Sequence, residues 1–489
     1  MSKSPRLVLA ISGILLLGLT ALRVAQSWSN DSHLEHVSGA WTALAVDLKN
    51  GVFYRAPFGP HGYGGTRFFP LFFCLHAAAM KLFGEWRVTG YTLSAVSIVL
   101  LIAAVYVLLR RLGANRWLAA GGSLVVLAGY SAQSALLTIR EDGMATMLNV
   151  WGVALCAGSE PSKRRLCAAA VLFTLAFATK ETTVFGLMAV FLSFLLTRGT
   201  KTAWRLLAFT VAGYAAVLAV IYFGSHGRAF EVLRLTAAAG VSIHRIVNSP
   251  VELVDDLSSY LGEAMLLAFG AAACVATPLP KLVRIPPLLF LLTAAATCLI
   301  FSSEGTTGNH LIDLHVAAAV LLISWAASDE ARLDLGVGAL AAVCLIAWLG
   351  LLLQHREADS VPVRAQVQEV VQSIGKTDAP ILAENPLVPV VAGQQPYLLD
   401  AFLFRVIREK DPSFADPLWQ MLREKRFSAV VLINDPDTEE GQTWYSTAHF
   451  GKGFVERLER DYARVGTPGD QYLYLPRGSK KAGAESPTQ

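Results

Sequence analysis

The feature that most constrains this chain is a succession of apolar runs near the length needed to cross a bilayer. A span of ~30 Å of hydrocarbon takes about 20 helical residues, because backbone polar groups there must pair within the segment. Eleven such runs fall at 7–26, 89–109, 117–137, 142–157, 166–180, 183–197, 204–224, 262–279, 286–302, 309–327 and 333–353. Composition agrees, since 54% of the residues are hydrophobic and only 16% are charged, where a soluble protein is about a quarter charged. The expected fold class is therefore an α-helical polytopic membrane protein. The first run follows Lys3 and Arg6, lacks a small-residue cleavage site and precedes many more spans, so it reads as a retained signal anchor.

Loop charge sets the expected orientation. With the N-terminus inside, inner loops carry Arg110, Arg111 and Arg116; Lys163, Arg164 and Arg165; Arg198, Lys201 and Arg205; Lys281 and Arg284; and Arg332. The short outer loops carry only Arg140 and Lys180. This asymmetry requires that "RFFPLFFCLHAAAMKLFGEW" (Arg67–Trp86) does not cross, because a crossing would invert every later loop. Phe68–Phe83 is accordingly expected as an interfacial or re-entrant helix at the outer surface.

Two longer outer segments, about 27–87 and 225–261, interrupt the spans, and residues 354–478 read as a small soluble α/β domain outside the membrane. Within it, "VRAQVQEVVQSIG", "PLWQMLREKRF" and "FVERLERDY" have helical spacing. "APILAEN" and "FSAVVLIND" are short apolar runs between turn residues, as buried strands are. Residues 479–489 are expected to be a disordered tail. The six cysteines (74, 156, 167, 274, 298 and 344) lie in or beside apolar runs with no metal-ligand spacing. A net charge of +4 gives no reason to expect a nucleic-acid partner. HExxH, GxSxG, CxxC, P-loop and dinucleotide fingerprints are absent.

Charge collects instead at the outer ends of the spans. "SALLTIREDGMATMLNVWG" (Ser134–Gly152) sets Arg140, Glu141 and Asp142 between the third and fourth runs. A carboxylate taken into hydrocarbon costs ~2.5–3.5 kcal/mol on insertion scales, so one at a span end belongs at the interface or in a wet cavity. Glu141 or Asp142 could serve as a plain helix cap worth about 1 kcal/mol, but a cap needs neither the arginine nor a second acid. "TKETT" adds Lys180 and Glu181, and "SSEGTTGNHLIDLH" adds Glu304, Asn309, His310 and Asp313. The first outer loop adds Asp31, Glu35 and Asp47. The i, i+3 spacing puts His310 and Asp313 on one helix face. Taken singly, His310 could be an interfacial polar residue and Asp313 a partner for Lys180. Together these residues suit chemistry on an activated substrate held in the bilayer, where an acid accepts a proton from an attacking hydroxyl and a cation stabilises a departing phosphate. A transporter and a non-catalytic scaffold are the competing readings. Transporters gather polar groups near the midplane and often carry inverted repeats, and this sequence has neither feature.

The order of these motifs resembles the integral-membrane GT-C glycosyltransferases, in the branch of ArnT-like and protein mannosyltransferase-like bacterial enzymes. The resemblance covers about Leu7 to Leu353. It rests on Glu35 in "HLEHVSGAW", "AVDLKNGVFYRAPFG", "FFPLFFCLHAAAMKLFG", Arg140-Glu141-Asp142, Lys180 in "LAFATKETT" and "GNHLIDLH". It implies a GT-C transmembrane domain over 1–353, with surface helices in the first loop (27–87), and a periplasmic α/β domain over 354–478. The implied reaction moves a sugar from a polyprenyl-phosphate donor to a lipid, glycan or protein acceptor at the periplasmic face of the bacterial inner membrane. Carried over, Glu35 is the first-loop acid, a general base or acceptor-positioning group, and Asp142 is the second-loop acid. Arg140 and Lys180 would hold the lipid phosphate, with Arg67 assisting, and His310 and Asp313 would line the cavity. Glu141 stands where relatives often have proline. His36 follows Glu35 where relatives often have a second acid, which leaves Asp31 and Asp47 open as alternative bases. No cofactor is expected, and a divalent metal stays open.

Overall fold

The computed structural model describes residues 4–30, 34–236, 243–258, 260–303, 306, 308–358 and 366–479. Asp31, Glu304 and the tail from residue 480 lie outside the described residues. Helices α1 (Ser4–Asn30), α2 (His36–Lys49), α3 (Leu71–Phe83), α4 (Trp86–Arg111), α5 (Arg116–Leu124), α6 (Tyr130–Leu137) and α7 (Asp142–Cys156) open the chain. They are followed by α8 (Lys163–Thr179), α9 (Phe185–Thr197), α10 (Thr200–Gly224), α11 (Arg228–Thr236) and α12 (Ile243–Ser258). The helical part ends with α13 (Leu261–Val275), α14 (Leu279–Leu282), α15 (Ile285–Phe301), α16 (Ile312–Ala326) and α17 (Glu330–Ala358).

Helix makes up most of every apolar run, and the chain is a mostly helical, multi-span membrane protein. Among the described residues, five helices are long and apolar enough to cross a bilayer, and α5 with α6 makes a sixth if that bent pair is one span. The others expected as spans are shorter: α9, for instance, has 13 residues and rises only about 20 Å. Large apolar side chains face outward on the long helices, among them Ile14, Val99, Val220 and Phe223. An exterior of that kind is the expected surface of helices facing lipid. The interior is packed with Leu, Ala, Val and Phe side chains, with α7 buried along most of its length against α4, α8 and α9.

The run expected as a continuous span over 117–137 is broken, with a 72° bend between its two halves. Gly129 lies at the break with extended backbone (φ −82°, ψ 134°). A Cβ there would come within 2.8 Å of the His315 ring, so only glycine lets α16 approach this closely. The break frees backbone carbonyls in a dry environment, and side chains satisfy them. His315 Nε2 reaches Val125 O at 2.9 Å, and Gln133 Nε2 donates to Leu127 O at 2.7 Å.

At the end of α7 remote from Asp142, arginines at the ends of neighbouring helices close the helix. Arg111 donates to Ala154 O at 2.9 Å and Arg165 to Leu155 O at 2.6 Å, while Arg198 donates to Gly158 O and Ser159 O. Cations at a helix C-terminus satisfy orphan carbonyls and complement the helix dipole. The basic residues used to orient the chain therefore also have a packing role at that end.

Helix α3 packs against α2 of the first loop, where Trp41 stacks on Phe68 (centroids 4.4 Å) and meets Phe72 edge-on. The C-terminal domain contains α18 (Gln366–Ile374), β1 (Ile381–Ala383), α19 (Leu387–Val391), α20 (Ala401–Lys410), α21 (Asp416–Arg423), β2 (Ala429–Leu432), α22 (Glu439–Thr443), α23 (Phe454–Asp461), β3 (Tyr462–Gly466) and β4 (Tyr472–Pro476). The sheet order is β1-β2-β4-β3, with β1 parallel to β2 and the other two pairs antiparallel. Sequence patterning identified β1 and β2, whose residues are buried on both faces. It did not assign β3 and β4, because "YARVG" and "YLYLP" are five-residue segments with mixed burial.

Candidate active site

Asp142 begins α7 with its side chain 1% exposed. The local fold brings two cations to it. Lys180 follows the end of α8 in extended conformation, and Thr183 ties the next turn back to Lys180 O. Lys180 Nζ ion-pairs with Asp142 Oδ1. Arg140 lies in the short loop after α6, with its Nε 3.6 Å from Asp142 Oδ2. Asn309, just before α16, donates to the same carboxylate at 3.3 and 3.4 Å. Glu141, the residue preceding the helix, has αR geometry and makes no side-chain capping bond. Asp142 is placed in the first turn, where a carboxylate also meets the positive end of the helix dipole.

Arg140 joins this cluster to the first loop. Its Nη1 lies 3.2 Å from Glu35 Oε1, and that carboxylate is 42% exposed. The arginine loop and α2 are also tied by the backbone, since Ile139 N–H donates to Ser38 Oγ at 3.2 Å. Two cations and two carboxylates thus alternate as Glu35, Arg140, Asp142 and Lys180, running from partial exposure to full burial. Among the described residues Arg140 Nε is buried without a hydrogen-bond acceptor, although Asp142 is within ion-pair range. A spare guanidinium donor beside a buried lysine suits a group with several acceptor oxygens.

Other residues singled out from sequence take different places. His310 and Asp313 lie within electrostatic reach of Asp142 and Lys180. Arg67 is close enough to act on Glu181 and His310, and its guanidinium stacks on Phe402 of the C-terminal domain at 4.9 Å. Asp47 does not join the cluster. It lies twelve residues along from Glu35 near the far end of α2, about 18 Å of helical rise. There it pairs with Arg55 at 2.7 Å and accepts from Gln395 at 2.9 Å. Burial, opposed by Arg55, pushes the Asp47 carboxyl above its ordinary value. Asn309 was visible as part of a polar span start, whereas Ser38 carries no sequence signal that separates it from any other serine. Among the described residues, no three His, Cys, Asp or Glu side chains converge as a metal site would require.

Glu141 is buried beside Asp142, and among the described residues no cation forms an ion pair with it. Burial, reinforced by the Asp142 charge and opposed by Lys180 and Arg140, raises its carboxyl above the ordinary value. Above that ordinary value the folded protein holds a proton that the unfolded chain releases, so stability falls as pH rises there. Glu141→Gln is expected to flatten this fall in a thermal-melting series from pH 5 to 8. It should also leave activity at pH 7 within about threefold of wild type, because the amide mimics the protonated acid. A tenfold or greater loss would assign Glu141 a charged role.

No family model matches the chain, and no curated protein does. Solved structures do. The chain is similar across nearly its whole length to ArnT from Cupriavidus metallidurans bound to undecaprenyl phosphate, at 13% identity and a TM-score of 0.58, covering 96% of this chain and 99% of that one. The apo oligosaccharyltransferase of Archaeoglobus fulgidus aligns at 14% identity and a TM-score of 0.57, covering 98% of this chain and 75% of that one. AglB from the same archaeon, in complex with an inhibitory peptide and a dolichol-phosphate, aligns at 14% identity and 0.55, covering 97% and 74%. The chain therefore has the GT-C glycosyltransferase fold.

Proposed function

We propose that this protein is a glycosyltransferase that moves a sugar from a polyprenyl-phosphate donor to a lipid, glycan or protein acceptor. The observation that carries this reading is the buried Arg140–Asp142–Lys180 cluster joined through Arg140 to the half-exposed Glu35. The fold supports it, since similar structures hold undecaprenyl phosphate or a dolichol-phosphate. In this reading all eleven apolar segments cross the membrane, the N-terminus is cytoplasmic, and the site and C-terminal domain lie in the periplasm of a bacterial cell. α3 stays at the outer surface.

Glu35 takes the proton from the acceptor hydroxyl while that oxygen forms a bond to the anomeric carbon of the donor. The anomeric carbon–oxygen bond to phosphate breaks, and its electron pair leaves on the polyprenyl phosphate. Arg140 and Lys180 stabilise the charge that develops there, and Arg67, close enough to act on His310, assists. Asp142 holds both cations in place. It is already engaged by Lys180, Arg140 and Asn309, which leaves Glu35, whose carboxylate pairs with Arg140 among the described residues, as the freer base. Fixed charges of this kind act strongly in a dry site because they need no reorganisation as the reaction proceeds.

Two measurements test the reading. Mass spectrometry of cell-envelope glycans from a deletion strain should show one sugar missing, restored by the wild-type gene. Purified protein should bind undecaprenyl phosphate, and Arg140→Gln and Lys180→Gln should each weaken that binding by tenfold or more. Unchanged glycans together with unaltered lipid-phosphate binding would overturn the assignment.

A further inference from the structure

The residues on either side of Glu35 are both held by the C-terminal domain. Strand β1 ends at Ala383, and the next two residues, Glu384 and Asn385, are almost completely buried. Asn385 Nδ2 donates to Leu34 O at 3.1 Å, while its Oδ1 accepts from Leu387 N–H at 3.0 Å, which fixes the amide orientation. Leu34 immediately precedes Glu35. The fit around Asn385 is close: a Cβ on Gly39, one turn into α2, would fall 2.2 Å from its Oδ1.

Glu384 works on the other neighbour. Its carboxylate collects four donors: His449 Nδ1 at 2.5 Å, Trp444 Nε1 at 2.6 Å, and Tyr445 O–H and Ile433 N–H at 2.9 Å each. Burial pushes this carboxyl up, but the hydrogen bonds and the His449 charge outweigh it and leave it below the ordinary value. The hub locks two rings, His449 and Trp444, against each other with centroids 4.5 Å apart. Both contact His36, His449 at 5.0 Å and Trp444 at 6.2 Å, in near-perpendicular geometry. His36 immediately follows Glu35. Burial and His449 together push the His36 imidazole down to about 4, so near neutral pH it is an uncharged wall against those rings.

We infer that Glu384 and Asn385 are positioning residues for Glu35: by holding Leu34 and His36 they aim its carboxylate at Arg140, so the C-terminal domain completes the site. A half-exposed acid just before a helix would otherwise sample several rotamers, and a base displaced by an ångström loses much of its effect. A buried carboxylate with four donors is a costly arrangement to maintain away from any reacting group. Its placement one residue from Asn385 gives that arrangement a purpose. This inference rests on the glycosyltransferase reading and on Glu35 as its base.

The experiment is a double-mutant cycle between Asn385 and Glu35, supported by Glu384→Gln. The donor probe is the polyprenyl-phosphate sugar fraction extracted from a deletion strain, supplied to membranes containing each variant. Asn385→Ala and the isosteric Asn385→Asp should each lower kcat ten- to a hundredfold. The donor KM and the affinity for undecaprenyl phosphate should stay within twofold of wild type. In a Glu35→Gln background, Asn385→Ala should cost less than twofold further, because the group it aims is already gone. Glu384→Gln should show the same pattern more weakly. The inference is overturned if kcat is unchanged, if the loss is as large in the Glu35→Gln background, or if neither Asn385 variant folds, since any of these leaves Asn385 a purely structural residue. Wild-type transfer by Glu35→Gln alone would instead remove Glu35 as the base and defeat the underlying assignment first.

Discussion

Replacing Asp142 by asparagine is expected to lower sugar transfer at least a hundredfold and to destabilise the protein at the same time. The carboxylate is buried between the Lys180 ammonium and the Arg140 guanidinium. Removing one partner of a buried ion cluster leaves uncompensated charge, typically at a cost of about 3–5 kcal/mol. Here two cations lose their counter-ion together. Asparagine has nearly the same shape and still offers an oxygen to Asn309, so packing changes little and the effect isolates charge. Lys180 and Arg140 should then repel each other and shift away from the place where a phosphate would sit. Transfer in membranes and the melting temperature of the purified protein should fall together. A variant that melted normally and transferred within tenfold of wild type would show that Asp142 is no organiser of the site.

Glu35→Gln should have a comparable effect on rate by a different route. General-base catalysis contributes about 10²–10⁴-fold, so kcat is expected to fall by that order. Stability should hardly change, because the carboxylate is 42% exposed and its pairing with Arg140 is screened by solvent. Binding of undecaprenyl phosphate should be unchanged or slightly tighter, as Arg140 loses one of its anions. The contrast between the two variants is the informative result. Asp142→Asn should impair rate, stability and lipid-phosphate binding together, and Glu35→Gln should impair rate alone. Equal stability losses in both would assign Glu35 a structural role, and retained kcat in Glu35→Gln would pass the base to another group.

The two variants also separate what could be read locally from what could not. Arg140, Asp142 and Lys180 were legible because charges of both signs at the ends of apolar helices are costly, and so stand out against their surroundings. Glu35 and Asp47 were not separable in the same way. Both are acids of the first loop, twelve residues apart across one helix, and only their partners distinguish them: Arg140 for one, Arg55 and Gln395 for the other. Those partners come from segments whose spacing in sequence says nothing about their approach. The break at Gly129 was equally hidden. A glycine inside an apolar run is tolerated in many helices, and it becomes a bend here because His315, nearly two hundred residues later, supplies a donor for the freed carbonyl.

By itself the sequence determined the helical membrane architecture, the gathering of ionisable residues at the ends of apolar runs, and the α/β character of the C-terminal domain. These follow from local quantities: the length of an apolar run, the charge at its ends and the period of buried positions. Only the tertiary structure decided which acid meets Arg140, that Asn309 braces Asp142, that Asn385 bonds Leu34 from 351 residues away, and that the His449 and Trp444 rings bonded to Glu384 meet His36. Such contacts join segments far apart in sequence, and nothing in the spacing of either segment records where the other will lie.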